Sequence, residues 1–383
     1  MKRRSFALAV VSVLAVGLLL VPVASAASGV VDCRAGASLQ AAIDAAADGS
    51  TLVIKGTCVG SFLIADKNLT LLGTGKAVLD GGNAGRVLYV SGWVSGDVTV
   101  LVANMAIRNG LADDGNGGGG VLTQFSHVTL KNVSVTDNAS VLGGGGIEND
   151  LSDLTLVNST VSGNQATSDR GGGISSSSSN LTIRNSTVSG NSAGFVGGGI
   201  AITRGNATLI GSTVNGNTAL QGGGISNDSG AITSVTNSMV SGNSAGPGIG
   251  GGIYNGPAAG SDPDSTMTIT GSTIAGNSAP SSSGGGIENR GALTISRSRV
   301  TGNSALSAAG ITNYLGTLTF IAPRTVVGGN TATFGAAIAN GGGTVTGGCP
   351  TVLGQGVPAS TATTGFVQYG PANVPADYTG FTC

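Results

Sequence analysis

The chain has few of the residues that carry most enzyme chemistry. Only 9% of its 383 residues are charged and 4% are aromatic, and it contains four cysteines and a single histidine, His127. Structural zinc sites are built from cysteine and histidine, usually with two cysteines a few residues apart. No pair of cysteines in this sequence has the two-residue spacing, so a zinc site is not expected.

Positive charge is also scarce. The sequence has 17 basic and 18 acidic residues, and 14 basic residues remain if the three at positions 2–4 are removed with a leader segment. Proteins that bind nucleic acid or anionic membranes present clusters of lysine and arginine. The sequence therefore predicts no nucleic-acid partner.

The N-terminus has the pattern of a secretory signal peptide. Residues 2–4 are basic, residues 6–23 form an apolar run, and Ala24-Ser25-Ala26 fits the cleavage pattern of two small residues separated by one position. We expect residues 1–26 to be removed and the mature chain to be secreted or extracellular, with association with the cell surface as a further expectation. A membrane anchor is the alternative, because 18 apolar residues just span a bilayer. No second apolar run follows, so no span is expected in the mature chain.

Glycine is abundant, and the glycines follow a repeat. The chain contains 69 glycines without the every-third-residue period of collagen. A Gly-Gly-Gly-Ile marker ends at Ile147, Ile174, Ile200, Ile225, Ile253 and Ile287. A second marker, most often Val-Ser-Gly-Asn, ends at Asn138, Asn164, Asn191, Asn217, Asn243, Asn277, Asn303 and Asn330. Successive asparagines are 26 or 27 residues apart except for one gap of 34, so both markers share one period.

The segments between the markers have the period of β-strands. Leucine and isoleucine alternate with threonine in residues 154–161, 181–188 and 293–300, which is typical of half-buried strands. A repeat of this length with glycine corners fits one coil of a solenoid whose equivalent positions stack about 4.8 Å apart. The predicted fold is all-β: a single right-handed parallel β-helix of about a dozen coils. Its expected inward column is Val161, Val188, Val214, Val240, Ile274 and Val300.

The asparagine column is interpreted as structural. Asparagine tolerates left-handed φ in turns, and stacked amides can form hydrogen bonds along a column. Outward threonines also recur, at 129, 155, 182, 208, 268, 294 and 319. Ranks of threonine suggest ice binding as an alternative function, but the next outward positions (Lys131, Val157, Arg184) do not continue a threonine array.

The two ends of the solenoid are expected to be covered, because open strand edges promote aggregation. Residues 27–50 form an N-terminal segment with a capping helix over residues 38–47, in which Ser38 is the expected N-cap and Gly49 the stop. The β-helix is predicted over residues 51–347, and residues 348–383 are predicted to form a C-terminal cap. The long repeat contains a predicted protruding loop over residues 256–265.

The four cysteines are expected to form two disulfides in an exported chain. We favour local pairing, Cys33 with Cys58 and Cys349 with Cys383, among the three possible connectivities. Cys33 and Cys58 are 25 residues apart, close to one repeat, so they would lie on adjacent coils. The second pair would hold the C-terminal cap together.

These motifs resemble a known family. The Gly-Gly-Gly-Ile and Val-Ser-Gly-Asn-Ser-Ala pair is similar to the GGA[I/L/V] and FxxN repeats of polymorphic outer-membrane-type proteins, although valine mostly replaces the aromatic residue here. More broadly, residues 32–347 resemble bacterial secreted right-handed parallel β-helix proteins of the pectin-lyase-like superfamily. That resemblance implies the fold. It does not imply one activity, because the superfamily mixes lyases, hydrolases and adhesins.

The best candidates for catalysis are acidic residues in one stretch of the chain. Asp113, Asp114, Asp169 and Arg170 lie just before glycine runs, and the wider group includes Asp137, Glu148, Asp150 and Asp153. Glycosidases need two carboxylates about 5–10 Å apart, and adjacent coils could supply that spacing. The aromatic residues that sugar sites favour (Tyr89, Trp93, Phe125, Tyr254 and Tyr314) show no common phase in the repeat.

The sequence therefore predicts a secreted or cell-surface protein with a non-enzymatic structural, adhesive or ligand-binding role along its lateral face. The alternative is a polysaccharide lyase or glycoside hydrolase acting on an extracellular polysaccharide. No cofactor is expected in the first case, and Ca²⁺ is the expected ion in the second. The expected partners are an extracellular polysaccharide or a surface protein, and the chain is expected to be a monomer.

Overall fold

The computed structural model describes residues 28–94, 96, 98–256, 265–321, 325–334, 337–348, 351–353, 366–368 and 381–382. The predicted signal peptide, residues 257–264 of the predicted loop, and Cys349 and Cys383 lie outside the described residues, as does most of the predicted C-terminal cap.

The described chain winds into a parallel β-solenoid of about 12 turns with three sheets along its axis. Sheet 1 has 22 strands: Ser28–Asp32, Ser50–Val59, Leu69–Asp80, Val98–Arg108, Ser126–Thr136, Asp153–Val157, Thr160–Ser162, Asn180–Arg184, Thr187–Ser189, Asn206–Ile210, Thr213–Asn215, Ile232–Thr236, Met239–Ser241, Thr266–Thr270, Thr273–Ala275, Ala292–Ser296, Arg299–Thr301, Thr317–Ile321, Val326–Gly328, Thr344–Gly348, Thr351–Leu353 and Phe381–Thr382.

Sheet 2 has 12 strands, six of which begin at the isoleucine of the first marker: Phe62–Ala65, Leu88–Ser91, Val121–Gln124, Ile147–Asp150, Ile174–Ser177, Ile200–Thr203, Ile225–Asp228, Ile253–Asn255, Ile287–Asn289, Ile311–Tyr314, Ile338–Gly341 and Phe366–Gln368. Sheet 3 is built from short strands in two groups: Leu111–Ala112, Ala139–Ser140, Gln165–Ala166 and Ser192–Ala193, then Ser278–Ser283, Ser304–Ser307 and Thr331–Phe334.

The inward columns predicted from the repeat are confirmed. Val161 pairs with Val188, and the column continues through Val214, Val240, Ile274 and Val300 with every side chain buried. The marker isoleucines form a second buried column from Ile147 to Ile287, and the register continues it through Ile311 to Ile338. Each fully buried side chain of this size contributes about 1.5–3 kcal/mol, so stacking stabilises coils that could not bury an apolar face alone.

Sheet 1 bends in a way that the alternating pattern did not predict. Between residues 153 and 301 each coil contributes two strands to this sheet, separated by a residue with left-handed φ such as Asn158 or Asn185. The serine after the bend is buried, and its hydroxyl accepts the backbone N–H of the serine one coil earlier, as in Ser159 to Ser186 at 3.0 Å. This serine column continues through Ser212, Ser238, Ser272 and Ser298.

The asparagines of the second marker form one buried column at the corner between sheets 1 and 3. Each side-chain amide donates to the amide oxygen of the next asparagine at 2.9 Å, from Asn138 to Asn330. We expected left-handed φ at the asparagine itself, but it occurs at the residue before the asparagine, for example Gly163 at 66°. The asparagine side chain points inward, where its amide bonds replace water.

The N-terminal segment contains a short α-helix and a disulfide. The helix spans Leu39–Ala45, and Ser38 Oγ accepts the N–H of Ala41 at 3.3 Å, as expected for the N-cap. It ends two residues before the predicted end, with extended Ala46 as its C-cap, and Gly49 has its left-handed φ at the entry to the next strand, not at the end of the helix. The predicted Cys33–Cys58 disulfide is present, with 5.2 Å between its Cα atoms.

Candidate functional site

The outer face of sheet 2 carries buried polar residues where exposed ones would be expected. The residue after each marker isoleucine points away from the core, yet Glu148, Ser226 and Glu288 are almost completely buried. The glycine-rich segment before each strand lies directly over this position. A Cβ atom on Gly143 would lie 2.4 Å from Glu148 Oε2, so the glycine corner lies against this carboxyl group, and its left-handed φ of 52° also favours glycine. We call this covered face the outer groove of sheet 2.

One column of the outer groove contains two of the aromatic residues. The register places Leu63, Tyr89, Leu122, Glu148, Ser175, Ala201, Ser226, Tyr254, Glu288 and Thr312 in successive coils. Our statement that the aromatic residues share no phase was therefore wrong for Tyr89 and Tyr254. Unequal repeat lengths between residues 89 and 254 hid their equivalence in the sequence.

Glu148 lies at the centre of the upstream half of the outer groove. Its Oε1 accepts a hydrogen bond from Ser175 Oγ at 3.2 Å, whereas Oε2 has no hydrogen-bond partner among the described residues. Burial raises the pKa of Glu148 to about 8, and the negative charges of Asp150 and Asp169 act in the same direction, while Arg170 opposes them. Glu148 is therefore mostly protonated at neutral pH.

A second column of the outer groove includes Gln124, Asp150, Thr203 and Asp228, and some neighbours in this column are joined by side-chain hydrogen bonds. Tyr89 Oη donates to Gln124 Oε1 at 2.6 Å, and Gln124 Nε2 donates to Asp150 Oδ2 at 3.2 Å. Further along the column, Thr203 Oγ1 donates to Asp228 Oδ1 at 3.1 Å. Burial raises the pKa of Asp228, which is 2% exposed.

The predicted residues Asp169 and Arg170 lie on the rim of the outer groove. Arg170 Nε lies 3.3 Å from Asp169 Oδ1, and an Nη atom of Arg170 donates to Thr203 Oγ1 at 3.1 Å. The pair thus joins the rim to the second column of the outer groove without contacting Asp114.

Asp113 and Asp114 lie at the upstream end of the outer groove. They line a cavity of about 290 Å³ together with Arg86 and Tyr89. Asp114 Oδ1 is 2.8 Å from an Nη atom of Arg86, whose guanidinium also donates to the carbonyl oxygens of Gly117 and Gly118. Asp114 therefore completes an arginine anchor for the glycine-rich turn.

The downstream end of the outer groove is built around Arg290. Its guanidinium lies 5.2 Å from the ring centroid of Tyr314 and 6.0 Å from that of Tyr254. Its Nε is 3.3 Å from Oε1 of Glu288, and Ser283 Oγ donates to Oε2 of the same carboxylate at 2.8 Å. Burial raises the pKa of Glu288, while Ser283 and Arg290 oppose that rise.

A cavity of about 580 Å³ adjoins this cluster. It is lined by the hydroxyls of Ser283, Ser307 and Thr312, by the ring of Tyr314, and by small apolar residues such as Ala339. Tyr314 is 46% exposed, so its ring is accessible from solvent. A cavity that combines apolar walls with a few converging polar groups is the usual form of a ligand site.

Two members of the wider acidic group lie elsewhere. Asp137 occupies the turn between sheets 1 and 3, where it adopts the left-handed φ that glycine has in most other coils. Asp153 lies on sheet 1, where its Oδ2 is 2.8 Å from Nδ1 of His127. The acidic residues that are close in sequence thus divide between separate faces of the solenoid.

Sequence reasoning missed the downstream cluster, although one signal was present. Gly-Gly-Gly-Ile-Glu-Asn occurs twice, at residues 144–149 and 284–289, and its two glutamates are Glu148 and Glu288. A glutamate in a buried repeat position of a weakly charged chain indicates a special environment.

The described residues contain no group of three or more His, Cys, Asp or Glu side chains placed to hold a metal ion. Within the same residues, no helix is long and apolar enough to cross a membrane.

Comparisons with known proteins agree with the architecture. Residues 93–205 match the family model for a right handed beta helix region, and no curated protein matches the chain. The match identifies residues 93–205 as a right-handed parallel β-helix, and the parallel coil register continues the same architecture on both sides of them.

Three solved structures are similar at low identity. An alginate lyase from Paenibacillus sp. str. FPU-7 has 15% identity over 74% of this chain and 97% of its own, with a TM-score of 0.45. Pectate lyase Pel9A has 13% identity over 88% and 79% of the two chains, with a TM-score of 0.42. The Dettilon tailspike protein gp208 has 13% identity over 78% and 62%, with a TM-score of 0.35.

Proposed function

We propose that this protein is secreted and binds a neutral extracellular polysaccharide across the outer groove of sheet 2, at the cavities near its two ends, without cleaving it. The observation that carries the proposal is the downstream cluster, in which Arg290 lies between Tyr254 and Tyr314 beside a cavity lined by hydroxyls. A sugar ring offers C–H groups that pack on an aromatic face and hydroxyls that need converging donors and acceptors. Tyr314 and the serine and threonine hydroxyls supply both kinds of contact.

The charge of the outer groove favours a neutral ligand over an anionic one. Its acidic residues are Asp113, Asp114, Glu148, Asp150, Asp169, Asp228 and Glu288, and its arginines are Arg86, Arg170 and Arg290. Even with Glu148 protonated, negative groups outnumber positive ones. An anionic polymer would therefore be repelled along most of the groove.

The length of the groove fits a chain rather than a single sugar. Tyr89 and Thr312 occupy the same column eight coils apart. Because neighbouring strands are about 4.8 Å apart, the two ends of this column are separated by about 38 Å. A polymer could contact both cavities at once, and simultaneous contacts raise the overall affinity.

The acids of the outer groove are poorly placed to cleave such a polymer. Asp114, Asp169 and Glu288 each lie beside an arginine. Glu148 lies beneath Gly143, and Asp228 is buried three coils away, about 14 Å along the axis. Glycosidases require both carboxyl groups at the sugar, about 5–10 Å apart.

One observation favours the alternative of a polysaccharide hydrolase or lyase. Glu148 and Asp150 point to the same face of one strand, which places their Cα atoms about 7 Å apart. Burial keeps Glu148 protonated, whereas Asp150 accepts a hydrogen bond from Gln124. Two carboxyl groups in unlike environments are the pattern of an acid and base pair.

The test is binding and cleavage by the mature chain on one panel of neutral and uronate-containing polysaccharides. We expect saturable binding to a neutral member by calorimetry, with no new reducing ends and no unsaturated product. Tyr314→Ala should weaken binding at least tenfold, and Thr208→Ala on sheet 1 should not. Binding only to uronates would overturn the ligand class, and cleavage abolished by Glu148→Gln would establish the hydrolase or lyase.

We also propose that the α-helix Leu39–Ala45 caps the N-terminal end of the solenoid. Leu39 and Ile43 are buried in the core. The side-chain amide of Gln40 accepts the N–H of Leu63 at 2.8 Å and donates to its carbonyl at 3.1 Å. Gln40 thus occupies the edge of the first strand of sheet 2, where another chain could otherwise pair.

A further inference from the structure

The two copies of Gly-Gly-Gly-Ile-Glu-Asn place a glutamate in the same environment twice. Glu148 and Glu288 share one column of the outer groove, both are buried, and each accepts a hydrogen bond from a serine hydroxyl. The residue two positions later differs: it is Asp150 after Glu148 and Arg290 after Glu288. The first copy of the motif is therefore followed by a negative charge and the second copy by a positive charge.

Arg290 balances the charge of Glu288, because its Nε lies 3.3 Å from Oε1. Both oxygens of Glu288 thus have partners, with Ser283 on the other one. These two partners favour the ionised form of Glu288 and so oppose the rise in its pKa that burial causes, since a buried carboxylate needs hydrogen bonds and a counter-charge.

Glu148 has no equivalent support. The charged groups that act on it are Asp150 on its own strand and Asp169 and Arg170 on the following rim, and Arg170 already lies beside Asp169. On the opposite side, Arg86 is bound to Asp114 and to Gly117 O. Ionisation would leave a buried charge among surplus negative groups, with Oε2 unpaired.

Two glycine corners lie against that unpaired oxygen. A Cβ on Gly143 would lie 2.4 Å from Glu148 Oε2, and one on Gly117 would lie 3.0 Å from it. These corners belong to consecutive coils, and Gly118 N donates to Gly144 O at 2.8 Å, so they would move together. In this closed arrangement Oε2 is buried from water.

We infer that Glu148 is a proton-dependent latch, which keeps residues 115–118 and 141–146 closed over the outer groove when protonated and releases them when ionised. The inference does not depend on the ligand, because it concerns the free protein. Since burial raises the pKa of Glu148 to about 8, release falls in the mildly alkaline range. The Glu288 corner, which has its own arginine, stays closed over the same range.

The experiment is hydrogen exchange of the free mature chain at pH 6 and pH 9, with rates corrected for intrinsic exchange and read in peptides covering residues 113–121 and 141–147. We expect an increase of at least tenfold in the corrected rate at pH 9, since a pKa near 8 takes Glu148 from about 1% to about 90% ionised. Glu148→Gln should abolish the increase, and the matched control Glu288→Gln should leave it unchanged. Equal exchange at both pH values in the wild type, or an increase that persists in Glu148→Gln, would overturn the latch.

A second variant keeps the test sharp if Glu148→Gln fails to fold. Asp150→Arg gives Glu148 the neighbour that Glu288 has, so ionised Glu148 should be stabilised. The midpoint of the exchange increase should move to lower pH by at least one unit. A midpoint that does not move would contradict the electrostatic origin of the latch. All of these readouts are free of ligand, so their failure would leave the glycan proposal standing.

Discussion

The side-chain amide of Asn191 donates to Oδ1 of Asn217 at 2.9 Å, and the backbone N–H of Asn191 donates to the same oxygen at 2.9 Å. One side chain therefore satisfies two buried donors of the coil before it. Asn217 in turn donates to Asn243 Oδ1 and to Val188 O. This arrangement repeats through the column, so each asparagine supports its neighbours on both sides.

We predict that Asn217→Ala lowers the free energy of unfolding by about 2–4 kcal/mol, because it leaves two buried donors of Asn191 without an acceptor. Denaturant unfolding followed by circular dichroism measures this change. The matched control is Asn206→Ala, since Asn206 also donates to an asparagine one coil away, at 2.9 Å, but is exposed. Its loss should cost about 0.5 kcal/mol or less. Equal losses for the two variants would refute burial as the cause.

The glycine corners should separate two effects of glycine, the lack of a side chain and the tolerance of left-handed φ. A Cβ on Gly198 would lie 2.3 Å from Thr218 O, although Gly198 does not have left-handed φ. Gly190 has φ of 60°, with nothing within 4 Å of its would-be Cβ. We predict a loss of more than about 3 kcal/mol for Gly198→Ala and about 1–2 kcal/mol for Gly190→Ala. Thermal and urea unfolding of the two variants measure both losses. A larger loss for Gly190→Ala than for Gly198→Ala would disprove the prediction.

The sequence repeat allowed most of the fold to be predicted, but it allowed little of the outer groove to be predicted. The core columns through Val188 and Ile200 follow from a period of two within strands and a period of 26 or 27 between them, both visible in the sequence. The disulfide Cys33–Cys58 follows from the same period. The bend at Asn158 does not, because its neighbours read as one alternating strand.

The outer groove was hidden for a physical reason. An outward residue such as Glu148 is buried only because the corner at Gly143 lies within van der Waals distance of it, and that closeness depends on how successive coils stack. The cation–π contacts of Arg290 with the rings of Tyr254 and Tyr314 likewise depend on coil register, because the three residues are far apart in the sequence. Sequence proximity grouped Asp114 with Asp169 instead, and the structure gives each its own arginine.

If the helix Leu39–Ala45 caps the solenoid as proposed, its loss of contact should affect association more than stability. Gln40 pairs with both backbone groups of Leu63 through exposed hydrogen bonds, so Gln40→Ala should cost about 1 kcal/mol or less. It should nevertheless increase concentration-dependent aggregation, because the edge strand Phe62–Ala65 loses its cover. Light scattering at several concentrations tests this, with Ala41→Ser, an exposed position on the same helix, as control. Aggregation of both variants to the same extent would argue against edge protection.

Stability should fall as the pH rises through the neutral range. Glu148 has a pKa of about 8 in the folded chain against an ordinary value of 4.5, so between these values the folded state holds a proton that the unfolded state has lost. Unfolding then releases a proton, and the free energy of unfolding decreases with pH from about 4.5 to about 8 and levels off above that range. The contribution of this one group is on the order of a few kcal/mol. Asp228 and Glu288, whose pKa values burial also raises, add to the same slope.

Urea unfolding at pH 5, 7 and 9 measures that slope for the wild type and for Glu148→Gln. The variant cannot ionise at this position, so its stability should decline less between pH 5 and pH 9 and should exceed that of the wild type at pH 9. Glu288→Gln is the matched control: it removes the other motif glutamate but also the partner of Arg290, so it should be destabilised at every pH while retaining most of the slope. A Glu148→Gln protein with the full wild-type slope would show that Glu148 is already ionised in the folded chain. In that case a partner must stabilise the ionised Oε2 of Glu148. The closed position of the corners at Gly117 and Gly143 would then not depend on protonation of Glu148.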